Sequence, residues 1–235
     1  MRVLAVGAHP DDVELGCGAT LLAHRARGDR VSVLVLTGGE HGPQADSSRI
    51  TEQEIAAEIL GADLFWGGFE DGAIPEGRAG VDVVEALVRE TGAEMIYTHV
   101  PRDTHQDHRS AAAATLAAAR CSSRILMYET PSTVGFAPTV FTDAAPHLEG
   151  KLAALRAHMS QVLKNRLVDL EAVEAQARYR GFQARLRHAE GFETDRFTWD
   201  LSASVAGSRP GRVDRVVRAD RISRLGELDY AEQIG

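Results

Sequence analysis

The chain is poor in the residues that define several protein classes. Only two of its 235 residues are cysteine, Cys17 and Cys121, and they stand too far apart for a zinc-finger spacing. Neither a disulfide scaffold nor a cysteine-built metal knot is encoded, and both thiols are expected to be free and to serve as small buried hydrophobes. Lysine occurs only at positions 151 and 164. With 34 acidic against 26 basic residues and a formal charge of −8, the chain has no broad cationic face for a phosphate backbone, which argues against nucleic acid as a partner. Long hydrophobic runs are also missing. The longest, around Val31 to Leu36, has strand length rather than the ~18–20 residues of a membrane span, so no membrane partner is expected. Met1-Arg2-Val3-Leu4 runs straight into an apolar strand with no charged region, hydrophobic stretch and cleavage site in succession, which makes a cytoplasmic location the expectation.

The remaining composition, 44% hydrophobic and 26% charged, is that of a chain that folds on a core. Short apolar runs at Val3–Ala8, Arg30–Thr37, Leu64–Gly67, Met95–Thr98 and Ile125–Tyr128 lack polar alternation and read as strands buried on both faces. Helical patterns fill the gaps at Val13–Arg27, Ser48–Leu60, Val81–Thr91 and His108–Ala119, with Gly28, Gly61 and Gly92 as stop signals. The alternation predicts an α/β fold: a Rossmann-like, mostly parallel sheet of order 3-2-1-4-5 flanked by helices, with helices at Leu148–His158 and Leu167–Arg187 as a C-terminal cover. Long irregular segments at Gly38–Ser47 and Gly67–Gly80 follow strands, where functional loops concentrate. Residues 1–200 are read as one domain and 201–235 as an extension. In that extension Arg209, Arg212, Arg215, Arg218, Arg221 and Arg224 recur every third position, as a solvated face or as an arm that docks on another subunit.

Chemistry concentrates at two strand ends. The first strand runs into Ala8-His9-Pro10-Asp11-Asp12, and the fourth into His99-Val100-Pro101-Arg102-Asp103-Thr104-His105-Gln106-Asp107-His108. In an open α/β sheet, ligands bind beyond the carboxyl ends of strands where the strand order reverses. The order 3-2-1-4-5 makes strands one and four neighbours at that point, so segments about ninety residues apart would share one site. A catalytic zinc takes three His and carboxylate ligands and leaves room for water. His9, Asp12 and His108 supply such a set, leaving Asp11, His105 and Asp107 as acid or base groups. Two histidines and one carboxylate also form the iron(II) facial triad, so residue types alone leave the metal open.

These segments, with Glu14-Leu15-Gly16-Cys17-Gly18-Ala19-Thr20 after the first and Arg109 closing the second, resemble the LmbE-like, or PIG-L-like, zinc-dependent N-deacetylases. The likeness extends from Val3 to about Arg196 through Arg49 to Glu52, Asp71-Gly72, Tyr128-Glu129-Thr130-Pro131-Ser132, Lys151 with Ser160-Gln161, and Ala189-Glu190 with Phe192. It implies that His9, Asp12 and His108 hold Zn2+ and that Asp11 is the base that deprotonates zinc-bound water. It further implies that His105 stabilises the oxyanion or protonates the leaving amine while Asp107 orients and charges that imidazole, and that Arg49 and Asp71 contact sugar hydroxyls. The activity implied is removal of an N-acetyl group from an amino sugar or sugar-bearing small metabolite. Two alternatives are an amidase of the same mechanism acting on a larger acyl group, such as a thiol-sugar conjugate, and a metal-stabilised sugar-binding module without turnover. The expected partner is a small N-acyl amino sugar or glycoconjugate, and the expected assembly a homo-oligomer. One departure stands out: family members acting on thiol-cofactor precursors carry Tyr where this chain has Asp103, which is read here as orienting Arg102 or Arg109.

Other candidates have simpler readings. Gly16-Cys17-Gly18 is taken as helix packing rather than a phosphate cradle, because the G-x-G-x-x-G spacing is absent. His41 is a substrate contact or a solvent-facing residue. His24, His147, His158 and His188 are read as surface or hydrogen-bonded residues. Phe65 is assigned to the core, with Trp66 and Phe69 left open as sugar-stacking rings.

Overall fold

The structure is a computed structural model, and it describes residues 1–41, 48–164 and 167–199. Among these described residues seven strands, β1 (Arg2–Gly7), β2 (Arg30–Thr37), β3 (Asp63–Phe69), β4 (Met95–His99), β5 (Ile125–Tyr128), β6 (Val140–Asp143) and β7 (Ala189–Glu193), form one sheet of order β3-β2-β1-β4-β5-β7-β6. The first five are parallel, in the expected order, while β7 and β6 extend the sheet antiparallel beyond β5. These last two strands escape the sequence pattern because β6 has only four residues and β7 reads Ala-Glu-Gly-Phe-Glu, with no β-branched residue. β3 also continues through Gly67 and Gly68 to Phe69, which shortens the loop expected from Gly67.

Among the described residues six α-helices surround the sheet: α1 (Asp12–Ala26), α2 (Ser48–Leu60), α3 (Arg78–Thr91), α4 (Gln106–Ala118), α5 (Leu148–Ala157) and α6 (Leu170–Ala184). The absence of polar alternation in the strands follows from burial on both sides. Val3, Ala5, Val33 and Val35 face a core with α1 and α2, whereas Leu4, Val6, Leu34 and Leu36 face a second core with α3 and α4. Gly92 ends α3 at φ 59°, a conformation that costs glycine little. Phe65 is a core residue as expected, and Trp66 and Phe69 pack against the two cores. No helix among the described residues is long and apolar enough to cross a membrane. The arginine-rich extension lies outside the described residues.

Helix α1 breaks at Cys17, whose φ of −146° is not helical. The break lets β5 approach closely: a Cβ on Gly16 would sit 2.1 Å from the Tyr128 ring. A buried ion pair secures it. Lys151 Nζ donates to the Leu15 carbonyl at 2.7 Å and to Glu190 at 2.6 Å, and Glu190 accepts from the Ala19 and Thr20 amides that open the second half of the helix. Cys17 is a buried core thiol. Cys121 corrects the expectation of two buried thiols, because it is exposed.

Candidate metal centre at the sheet switch point

β1 pairs with β2 on one side and β4 on the other, so the segments that follow β1 and β4 meet above the central strands. There the structure gathers His9, Asp11, Asp12, Asp71, His105, Asp107 and His108, all buried except His105, which is half-buried. Asp12 sits at the centre. Its Oδ1 lies 3.3 Å from His108 Nε2 and its Oδ2 lies 3.4 Å from His9 Nδ1. The opposite ring nitrogen of each histidine is already engaged. His9 Nε2 lies 3.1 Å from both Asp71 and Asp107, and His108 Nδ1 lies 3.2 Å from Asp103. The inward nitrogens therefore converge on one carboxylate while the outward ones are held by others, which is how metal-binding histidines are supported in general.

Among the described residues three overlapping groups could hold a metal: His9, His105 and His108; Asp12, His99 and His108; and His9, Asp71 and Asp107. The expected set of His9, Asp12 and His108 is not itself one of these groups, although the Asp12 carboxylate meets both rings. Sequence reasoning gives His99 no role. It ends β4, is fully buried, stacks on His108 with centroids 4.1 Å apart, and places Nε2 3.3 Å from Asp12. The readable signal is its place as the last residue of a strand pointing into the crevice.

The electrostatics follow from packing charges into a dry site. Burial alone would lower His9 and His108, but the carboxylates around them outweigh it and raise both, His108 to about 9. Asp12 is held low against its burial by His108 and His99. Asp11 goes the other way: burial dominates the pull of Arg49 and lifts its carboxyl to about 6. His105 is lowered by burial and by its histidine neighbours. Its Nδ1 accepts the Asp107 amide at 3.2 Å, so the neutral ring carries its proton on Nε2.

Several assignments change in detail. The Asp107 carboxylate meets His9 and the Gly72 and Ile74 amides, at 2.7 and 3.3 Å, rather than the His105 ring that the family resemblance links to it. Asp103 orients neither Arg102, whose guanidinium meets Glu193, nor Arg109, which reaches only the Asp103 carbonyl. Its carboxylate accepts from His108, Thr130 and Thr133, tying the segment after β5 to the candidate centre. Arg49 is buried and donates to the Pro10 and Gly39 carbonyls, while Asp71 accepts from the His41 amide. His41 is thus drawn to the site by Asp71. The His158 ring is neither on the surface nor hydrogen-bonded to any described residue; it is fully buried with Nε2 3.7 Å from Glu14.

The description GlcNAc-PI de-N-acetylase (PIG-L) matches residues 4–119 of the chain. An uncharacterized deacetylase, YaiS, from Escherichia coli K12 is 34% identical over 167 residues, covering 67% of this chain and 90% of that protein. Diacetylchitobiose deacetylase from Thermococcus kodakarensis is 27% identical, covering 68% of this chain and 70% of that protein. Among solved structures, the conserved protein TT1542 from Thermus thermophilus superposes with a TM-score of 0.76 at 27% identity, covering 86% of this chain and 98% of that one. The matched segment contains every histidine and carboxylate of the centre, and the chain belongs to the PIG-L (LmbE-like) deacetylase family.

Proposed function

We propose that the chain is a zinc-dependent hydrolase that removes an N-acetyl group from an amino sugar or a sugar-bearing small metabolite. The observation that carries this reading is the convergence of His9 Nδ1, Asp12 and His108 Nε2 in a buried site, with the unligated Asp11 carboxylate beside them. The donor set suits zinc: two imidazoles whose outer nitrogens are held by carboxylates, and one carboxylate between them. His9, Asp12 and His108 would hold the ion. When bound, zinc supplies a positive centre that acidifies water and polarises an amide carbonyl.

The other steps belong to side chains. Asp11, lifted to about 6 by burial, is ionised at neutral pH yet basic enough to accept a proton from the attacking water. As the amide C–N bond breaks, the amine nitrogen takes the proton that Asp11 accepted from the attacking water, while the neutral His105 ring, with Nδ1 committed to the Asp107 amide, donates a hydrogen bond from Nε2 to the developing oxyanion. Asp71 and Arg49 lie beside the same crevice, and their residue types suit sugar hydroxyls. Acidic groups Asp11 and Asp71 flanking the centre also favour a neutral sugar over an anionic substrate.

The test is metal content together with acetate release from N-acetylglucosamine and N,N'-diacetylchitobiose, with and without chelator. Zinc near one per chain and chelator-sensitive release are expected, and Asp11→Ala should abolish release while zinc remains bound. A chain that neither holds nor regains zinc would overturn the reading.

A further inference from the structure

The Asp11 backbone is unusual. Its φ of 96° is one of only two positive values at non-glycine positions among the described residues. Such a conformation persists only when its surroundings enforce it. Asp11 precedes α1 as N-cap, yet its side chain makes no capping hydrogen bond; its carboxylate lies instead 3.6 Å from Arg49 Nη2.

The enforcement comes from α2. Arg49 and Gln53 stand four residues apart, on one face of that helix. Arg49 Nη2 donates to the Pro10 carbonyl at 2.8 Å, and Gln53 Oε1 accepts the Asp11 amide at 3.2 Å. That carbonyl and that amide belong to the same peptide unit, so α2 grips both ends of the bond that leads into Asp11. Each gripping side chain is itself fixed. Gln53 is fully buried, and its Nε2 donates to Glu14 at 2.7 Å, which sets the amide with its oxygen toward Asp11. Arg49 fits only because Gly39 has no side chain: a Cβ there would lie 2.2 Å from the guanidinium.

We propose that Gln53, together with Arg49, is a positioning residue: the pair clamps the Pro10–Asp11 peptide and thereby aims the Asp11 carboxylate. The inference rests on the reading of Asp11 as the base. Gln53 touches no substrate and acts through Asp11 alone.

The test uses the full chain loaded with zinc and the acetylated sugar that the unmodified chain hydrolyses. Gln53→Met keeps the volume but removes both hydrogen bonds. It should lower kcat about 10- to 100-fold, the scale of a misaimed catalytic group, with KM and zinc content unchanged. The exchange Glu14→Gln with Gln53→Glu rebuilds a donor at 14 and an acceptor at 53, and should restore most of the rate. A purely structural role for Gln53 would change KM or zinc content along with kcat, and either change would overturn the proposal. Gln53→Asn, which keeps the amide but shortens its reach, serves if the Met variant does not fold. Hydrogen exchange at the Asp11 amide reads the clamp without any substrate: it should quicken in Gln53→Met and slow again in the exchanged pair. An unchanged rate there overturns the clamp. If the unmodified chain releases no acetate, the assigned reaction fails and the exchange data still decide the clamp.

Discussion

His9 Nε2 lies 3.1 Å from the Asp107 carboxylate, across 98 residues of chain. Asp107 is pinned in turn by the Gly72 and Ile74 amides, so three segments meet at one carboxylate. In this arrangement Asp107 meets the ring of His9, a candidate metal ligand, rather than that of His105. Asp103 does the same for His108.

Under the zinc reading, Asp107→Asn and Asp103→Asn should each weaken zinc binding about 10- to 100-fold, measured by competition with a chromophoric chelator. If Asp107 instead serves His105, its Asn variant will bind zinc normally and lose only kcat.

Lys151 and Glu190 are both almost fully buried, and their pairing spans α5, β7 and the break in α1. Lys151→Met removes the cation and leaves Glu190 uncompensated in the interior. The expected loss is about 3–5 kcal/mol of stability in urea unfolding. Adding Glu190→Gln should recover part of it, since the buried charge is then gone. A loss below about 1 kcal/mol would show that water reaches Glu190.

At the opposite end of the sheet, Asp29 accepts from His24 and from the amino group of Met1, each at 2.7 Å. Burial alone would raise its carboxyl, but those two partners outweigh it and hold it at about 2. A carboxyl depressed in the folded state adds stability above its unfolded pKa of about 4 and loses that contribution as the pH falls toward the folded value. Asp29→Asn should therefore melt roughly 2–4 °C lower at pH 7, a loss on the order of 1 kcal/mol. The gap should narrow steadily below about pH 4; a constant gap from pH 7 to pH 3 would contradict the assignment.

Local pattern determined much of this protein. Uninterrupted apolar runs are what a doubly covered parallel strand requires, so β2 and β5 match their expected bounds in full, and the first five strands stand in the expected order β3-β2-β1-β4-β5. With that order the ends of β1 and β4 are neighbours, and His9 and His108 both come to lie against Asp12. Only the tertiary structure decided which carboxylate faces which histidine. Asp103 and Asp107 both lie within a few residues of His105 and His108, and spacing cannot distinguish them; loop packing turns one toward His108 and the other toward His9. The same holds for Gln53, an ordinary helix residue by composition. It becomes a clamp because α2 packs beside the Pro10–Asp11 turn, and a buried backbone amide there must find an acceptor. β6 and β7 were likewise decided by long-range pairing, since β7 docks on β5 and gives β6 an edge, which overrides their weak local preference.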